Sequence, residues 1–275
     1  MNLLNRVKKF ERLNKLIQKL DQNFLIDEKV IDDFIKICQI KKEERVIEVG
    51  AGLGFLTEKI APLCHQLITI EIDLRFKDFL KSLPENVKVL YGDAYKLFCD
   101  KKFILSLGKI DKIIGNFPYS KLENFLHPAM KGGWFEGDIF MIGPASFVNT
   151  VNKNPIFNSY YQAFFIKKIG KSSFYPSPHT VSAIIHLKRI DDPKITKDYK
   201  IFIKRFLYEH ENWKLKNCLR EGIIDAGKKL NKKFITKNQA RAIIKDLNIE
   251  KEILEKEIYR INLDLYNLIA DNLVL

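Results

Sequence analysis

The chain has 275 residues, 46% of them hydrophobic and 12% aromatic, and a formal net charge of +13. That much apolar content is enough for a buried core and argues against intrinsic disorder, while no run of eighteen apolar residues is present to cross a membrane. The positive charge favours a polyanionic partner held through phosphate contacts, although a lysine-rich surface that only keeps the protein soluble gives the same total.

Residues 1–20 read as a basic N-terminal segment. Its charges are scattered among apolar residues at helical spacing, without the continuous apolar stretch of a signal peptide, so a cytoplasmic protein is expected. From Arg45 onward, short β-rich runs alternate with helix-forming stretches. The strands are expected at 45–50, 67–72, 87–91, 110–115, 138–142, 162–168 and 181–188, with helices such as 54–63 and 74–83 between the early ones. The first five runs are nearly all apolar, as strands buried on both faces of a parallel sheet are. The last two are joined by a short connection that suits an antiparallel pair at the sheet's edge. The expected fold is α/β: a doubly wound, mostly parallel seven-stranded sheet over residues 1–190, with ligands at the carboxyl ends of the strands.

After Arg189 the character changes. Asp191-Asp192-Pro193 reads as a linker, and helices are expected at 199–209, 213–226, 237–247 and 263–272, making 191–275 a small all-helical domain. Thr236 and Gln239 have the spacing of a capping box. Between Lys197 and Lys245 there are fourteen Lys/Arg against five Asp/Glu, a balance of +9, whereas from Asp246 onward the balance is −4. That segregation points to one basic face and to nucleic acid. Lys214, Lys216 and Arg220 are its candidate phosphate contacts, with a merely solvated face as the alternative. The cysteines Cys38, Cys64, Cys99 and Cys218 read as buried free thiols, and the five dispersed histidines offer no metal-ligand spacing.

Two motifs carry chemistry. Glu48-Val49-Gly50-Ala51-Gly52-Leu53-Gly54 runs from a strand into a glycine turn, with an acid two residues before the first glycine, unlike the GxGxxG of dinucleotide sites. Glu71 ends the next strand, where a carboxylate can accept both hydroxyls of a ribose. Asp93 follows the third strand, where it can meet an adenine amine. Three acids suit a cofactor with a cationic sulfonium, a ribose and an adenine, and suit a pyrophosphate poorly. S-adenosylmethionine is therefore expected over a nicotinamide dinucleotide. The second motif, Asn116-Phe117-Pro118-Tyr119, ends the fourth strand. An adenine N6 lone pair is delocalised into the ring. The Asn116 amide oxygen and a main-chain carbonyl at Phe117 or Pro118 can grip its hydrogens and direct the lone pair at a methyl group, while Tyr119 stacks on the base. As an alternative, the motif is only a turn with a packed aromatic.

In this order, the motifs resemble those of the rRNA adenine N6,N6-dimethyltransferase family. Asp21-Gln22-Asn23-Phe24-Leu25-Ile26-Asp27 is similar to the family's GQNFL segment, and Phe174-Tyr175-Pro176-Ser177-Pro178-His179-Thr180-Val181-Ser182 to its FxPxPxVxS signature. Trp213-Lys214-Leu215-Lys216-Asn217 resembles its basic helix, and Tyr259-Arg260-Ile261 its late Arg-centred segment. The resemblance implies that Gln22, Asn23, Leu25, Glu48, Gly50, Ala51, Gly52, Gly54, Glu71, Ile72, Asp93, Ala94 and Asn116 hold the cofactor. It also implies that Phe174 is a second aromatic on the flipped adenine. The implied activity is dimethylation of adenine in small-subunit rRNA on the immature subunit, by a monomer. Alternatives are a large-subunit rRNA methyltransferase and a non-catalytic assembly factor on the same scaffold. The chain departs from the family pattern at Asp21, at Ser120-Lys121-Leu122, and at Gly143-Pro144-Ala145-Ser146-Phe147.

Overall fold

The computed structural model describes residues 2–14, 22–190, 198–230 and 233–273. Asp21 and the expected linker Asp191-Asp192-Pro193 lie outside the described residues. The chain forms two compact units, Met1–Val148 with Ala163–Lys188, and Asn149–Gln162 with Arg189–Leu275. This differs from a single cut after residue 190, because residues 149–162 group with the second unit.

The main sheet has seven strands: β2 (Arg45–Val49), β3 (Gln66–Glu71), β4 (Val87–Tyr91), β5 (Lys112–Asn116), β6 (Asp138–Pro144), β7 (Tyr161–Ile169) and β9 (Ser182–Arg189). Their order is β4-β3-β2-β5-β6-β9-β7. The first five pair in parallel, and β9 runs antiparallel to β6. Val46, Ile47, Ile113 and Ile114 are fully enclosed at the centre, which is why those runs read as continuously apolar. β9 lies between β6 and β7, so the late pair is adjacent as expected, with β7 at the edge.

Two elements differ from the sequence reading. A two-stranded ribbon joins β1 (Phe24–Leu25) to β8 (Phe174–Tyr175), pairing Phe24 with Tyr175 and Leu25 with Phe174. Two-residue strands leave no periodicity to read. Residues 74–83 form only a 3₁₀ turn, Leu74–Phe76, followed by isolated turns. The Asp73 side chain caps that turn by accepting from the Arg75 N–H, while Phe76 and Leu80 still point inward. Of the cysteines, Cys38, Cys64 and Cys218 are buried, but Cys99, at the end of a short helix, is exposed.

The N-terminal helix, Leu3–Leu13, buries Val7 and Phe10 completely. Phe10 stacks on Phe76 with ring centres 4.5 Å apart. Arg6 donates to both oxygens of Glu58 and to the Leu53 carbonyl. The helix thereby braces the back of the glycine turn.

In the second unit, helices Tyr199–Glu209, Leu215–Leu230, Lys237–Asp246 and Leu263–Asn272 enclose Phe202, Leu207, Leu219, Ile223 and Ile269. Thr236 and Gln239 close the capping box in both directions. No described helix is long and apolar enough to cross a membrane, and no cluster of three or more His, Cys, Asp or Glu among the described residues is arranged to hold a metal ion.

Gly115 sits where β5 passes the end of β2, and a Cβ there would lie 2.5 Å from the Val49 carbonyl oxygen. Because backbone must shift to admit it, Gly115→Ala should lower stability by about 1–3 kcal/mol, the scale of overpacking. Urea unfolding checks this, and an unchanged midpoint would show that the two strands have slack.

Candidate functional site

Strand order reverses between β2 and β5, and the crevice beyond their carboxyl ends is where such sheets bind ligands. Gly50, Gly52 and Gly54 take φ of +81°, +52° and +81°, a region that L side chains rarely adopt. The turn is closed by Glu71, which ends β3. Its carboxylate accepts from the Gly52 N–H at 2.7 Å and from the Asp73 N–H at 2.8 Å. Burial pushes the Glu71 carboxyl up, against the pull of those N–H donors.

Two cavities share this wall. The first, about 130 Å³, is lined by Gln22, Asn23, Leu25, Ala51, Glu48 and Asn116 among others. The second, about 360 Å³, is lined by Asp93, Ala94, Tyr95, Lys121, Asn124 and Phe125 among others. Gly50, Glu71, Ile72 and Pro118 border both. Most expected cofactor residues therefore converge, although they come from four strand ends and the 22–25 segment. Gly54 borders neither cavity and instead starts the helix Phe55–Ile60.

Glu48 is fully buried. Its Oε2 accepts from the hydroxyls of Thr57 (2.6 Å) and Thr69 (2.8 Å), while Oε1 has no partner among the described residues. Burial raises its carboxyl to about 7, opposed by the two hydroxyls. A buried carboxylate oxygen with an unmet lone pair, in the wall of a cavity, calls for a cation or a donor. A methionine-derived sulfonium with its ammonium group supplies one. Glu71 at the shared wall and Asp93 in the larger cavity then match the ribose and adenine, so the residues present fit S-adenosylmethionine.

Asn116 donates through Nδ2 to the Asn23 carbonyl at 2.8 Å. Only a donor can face that carbonyl, so the amide orientation is set and Oδ1 remains as the acceptor. Phe117 is a core residue whose ring packs on Phe125 at 4.7 Å, leaving its main chain for the site. The Tyr119 hydroxyl lies 2.5 Å from Ser182 Oγ. Phe174 is 3% exposed, belongs to the core cluster and lines neither cavity. Its ring is packed in the core beside the β1–β8 ribbon, where Phe174 pairs with Leu25, and in this structure it is not open to the crevice.

Three features had no expected role. Asp73, 7% exposed, accepts from Gln22 Nε2 at 2.7 Å and from Arg75. Burial acts to raise its carboxyl, but the Arg75 and Gln22 bonds outweigh it and hold the group low. The signal was there in the Glu-x-Asp spacing at the end of β3. Ser182 orients Tyr119, and Tyr95, Lys121 and Asn124 border the larger cavity. In the second unit the three candidate cations are all ion-paired: Lys214 and Lys216 with Glu255, Arg220 with Glu221. The two pairs with Glu255 are exposed, of a kind that contributes about 0–1 kcal/mol and opens readily to a phosphate, whereas the Arg220–Glu221 pair is half-buried.

A sequence model of the family described as "Ribosomal RNA adenine dimethylase" matches residues 13–259. The chain is similar to the probable ribosomal RNA small subunit methyltransferase A of Pyrococcus furiosus, at 28% identity over 78% of either chain. It is also similar to the ribosomal RNA small subunit methyltransferase A of Clostridium botulinum, at 26% identity over 96% of this chain and 91% of that one. Its fold is like that of a dimethyladenosine transferase from Plasmodium falciparum, with TM-score 0.53, 21% identity, and 88% of this chain and 94% of that one covered. The 23S rRNA methyltransferase ErmE gives TM-score 0.54 at 16% identity, with 91% and 99% covered.

Glu71→Ala should weaken binding of S-adenosylhomocysteine by roughly 1.5–3 kcal/mol, the scale of hydrogen bonds to a charged group. Calorimetry reads it, and an unchanged affinity would limit Glu71 to holding the glycine turn. Glu48 gives a pH signature. Its folded-state value of about 7 lies above the ordinary 4.5, so the folded protein keeps a proton that the unfolded chain loses. Stability is therefore lost as pH rises from about 4.5 to about 7, by up to about 3 kcal/mol. Glu48→Gln should remove that part of the slope in urea unfolding of the cofactor-free protein. A variant with the wild-type slope would show that Glu48 does not titrate there.

Proposed function

The chain belongs to the ribosomal RNA adenine dimethylase family, and from that premise we propose that it dimethylates N6 of adenines in small-subunit ribosomal RNA, acting in the cytoplasm as a monomer on the immature subunit. The protein is a methyltransferase that uses S-adenosylmethionine, which supplies an electrophilic methyl group when bound. The observation that carries the reading is the set orientation of Asn116: its Nδ2 is spent on Asn23, and the residue lines the cofactor cavity.

For the first transfer the Oδ1 of Asn116 and a main-chain carbonyl at Phe117 or Pro118 accept the two N6 hydrogens. With both hydrogens held, the nitrogen lone pair turns out of conjugation and toward the donor's methyl. The methylated nitrogen then loses one proton to solvent, and the single N6 hydrogen left for the second transfer is held by one of the same acceptors. Preorganised acceptors do this without reorganising during transfer. Tyr119 stacks on the base, its ring held by the bond to Ser182. The departure at 143–147 serves the same end. Pro144 pairs with Ser182 in the β6–β9 ladder, and the Ala145 N–H donates to the Val181 carbonyl at 2.9 Å, so this segment holds the residue that holds Tyr119. With Phe174 in the core, Tyr119 is the aromatic platform, and Phe174 acts through the β1–β8 ribbon. The helical unit adds phosphate contacts through Lys214, Lys216 and Arg220.

Relatives by sequence carry small-subunit names, whereas the likeness to a large-subunit enzyme is one of fold. A non-catalytic assembly factor has no need of a set Asn116 amide. Asn116→Ala should retain RNA binding and lower methyl transfer by at least about 10²-fold, the scale of losing one preorganised polar contact. Single-turnover transfer of labelled methyl to immature small subunits measures it. A wild-type protein that binds cofactor and RNA yet transfers nothing would favour the assembly factor.

A further inference from the structure

The second unit carries an aromatic ladder that ends in open space. Phe206 stacks on His210 with ring centres 4.2 Å apart, and His210 packs on Trp213 at 4.6 Å. The His210 Nδ1 lies 2.8 Å from the Phe206 carbonyl oxygen, which fixes the imidazole with its proton on that nitrogen. Trp213 is 42% exposed, a large fraction for an indole. Its backbone is nonetheless pinned on both sides. The Trp213 N–H donates to the His210 carbonyl at 2.9 Å, and the Trp213 carbonyl accepts from the Ile258 N–H at 3.0 Å. The next residues pair with the 256–258 segment through a Leu215-to-Lys256 bond and a Lys214–Glu257 bridge.

A rigid indole with an open flank borders a surface notch of about 530 Å³ that is also lined by Lys214, Asn217, Arg220 and Glu221. The Asn217 side-chain amide has no partner among the described residues. Its donor and acceptor can read the edge of one base. Lys214 is held by an exposed pair with Glu255 and Arg220 by a half-buried pair with its chain neighbour Glu221, and a phosphate can compete for either cation. The charge balance of +9 between Lys197 and Lys245 supplies the long-range attraction.

We propose that this notch is a second nucleotide site, in which one unpaired base of the substrate RNA stacks on Trp213 with its phosphates on Lys214 and Arg220. The inference rests on RNA being the substrate. It adds to that reading a contact specific to single-stranded RNA, because a base inside a duplex cannot offer its face to an indole.

The chain has two tryptophans, Trp134 and Trp213. In a Trp134→Phe protein the indole emission reports Trp213 alone, with no change made at the notch. Titration with single-stranded oligoadenylate should quench that emission saturably, while a duplex RNA of equal length should leave it nearly unchanged. Trp213→Ala should weaken binding of the single strand by about 5- to 150-fold, the range of one stacked base. Trp213→Phe should restore most of it, and cofactor affinity should be unaltered in both. Saturable RNA binding without quenching, or equal quenching by duplex, would overturn the stacking site and leave the methyltransferase reading intact. A wild-type protein that neither binds RNA nor transfers methyl to immature subunits would overturn both.

Discussion

Hydrogen bonds, with one covalent step from Gln22 to Asn23, join the glycine turn to Asn116 at the end of β5, and the carboxylate of Glu71 is their centre. One oxygen takes the Gly52 N–H and the other the Asp73 N–H. Asp73 in turn takes Gln22, and the next residue's carbonyl takes the Asn116 amide. The turn that shapes the cavity, the acid at its shared wall, the 22–25 segment and Asn116 are thus positioned together. A polar network pays for its burial only when each member is satisfied, and here the N–H groups of Gly52 and Asp73 satisfy the acid.

The acids of the site are held in an environment that resists their charge. Burial raises both Glu48 and Glu71, and a neighbouring carboxylate adds to each, Glu71 to Glu48 and Asp73 to Glu71. Glu48 answers with two hydroxyl donors on one oxygen and none on the other. A cationic ligand relieves that imbalance, whereas a pyrophosphate would add to it. The preference between cofactor classes is therefore built into the electrostatics before any shape is considered.

Tyr119 is supported by residues from a distant part of the chain. Ser182 holds the Tyr119 hydroxyl, and the β6–β9 ladder through Pro144 and Ala145 holds Ser182. Phe174, in the same signature, turns inward and packs with Phe24 and Leu25 in the core. One short stretch of sequence thus supplies both an anchor for the 22–25 segment and the partner of Tyr119. Its aromatic residue and its serine belong to different tasks.

The seven strands, the parallel pairing of the first five and four C-terminal helices were legible in the sequence because each leaves a repeating pattern. Val46, Ile47, Ile113 and Ile114 mark strands with two buried faces, and Thr236 with Gln239 marks a helix start by spacing alone. Glu48, Glu71, Asp93 and Asn116 were likewise recognisable, since the chemistry places polar groups at strand ends beside glycine. What only the tertiary structure decided was the partner of each group. Whether Phe174 meets a base or the core depends on the pairing of two-residue strands separated by about 150 positions, which no local periodicity records. Whether Lys214, Lys216 and Arg220 stand free depends on Glu255 and Glu221 reaching them. Residue type and spacing determine what a side chain can do. Contacts between distant segments select which of those things it does, because burial and hydrogen bonding are settled only when the chain has closed on itself.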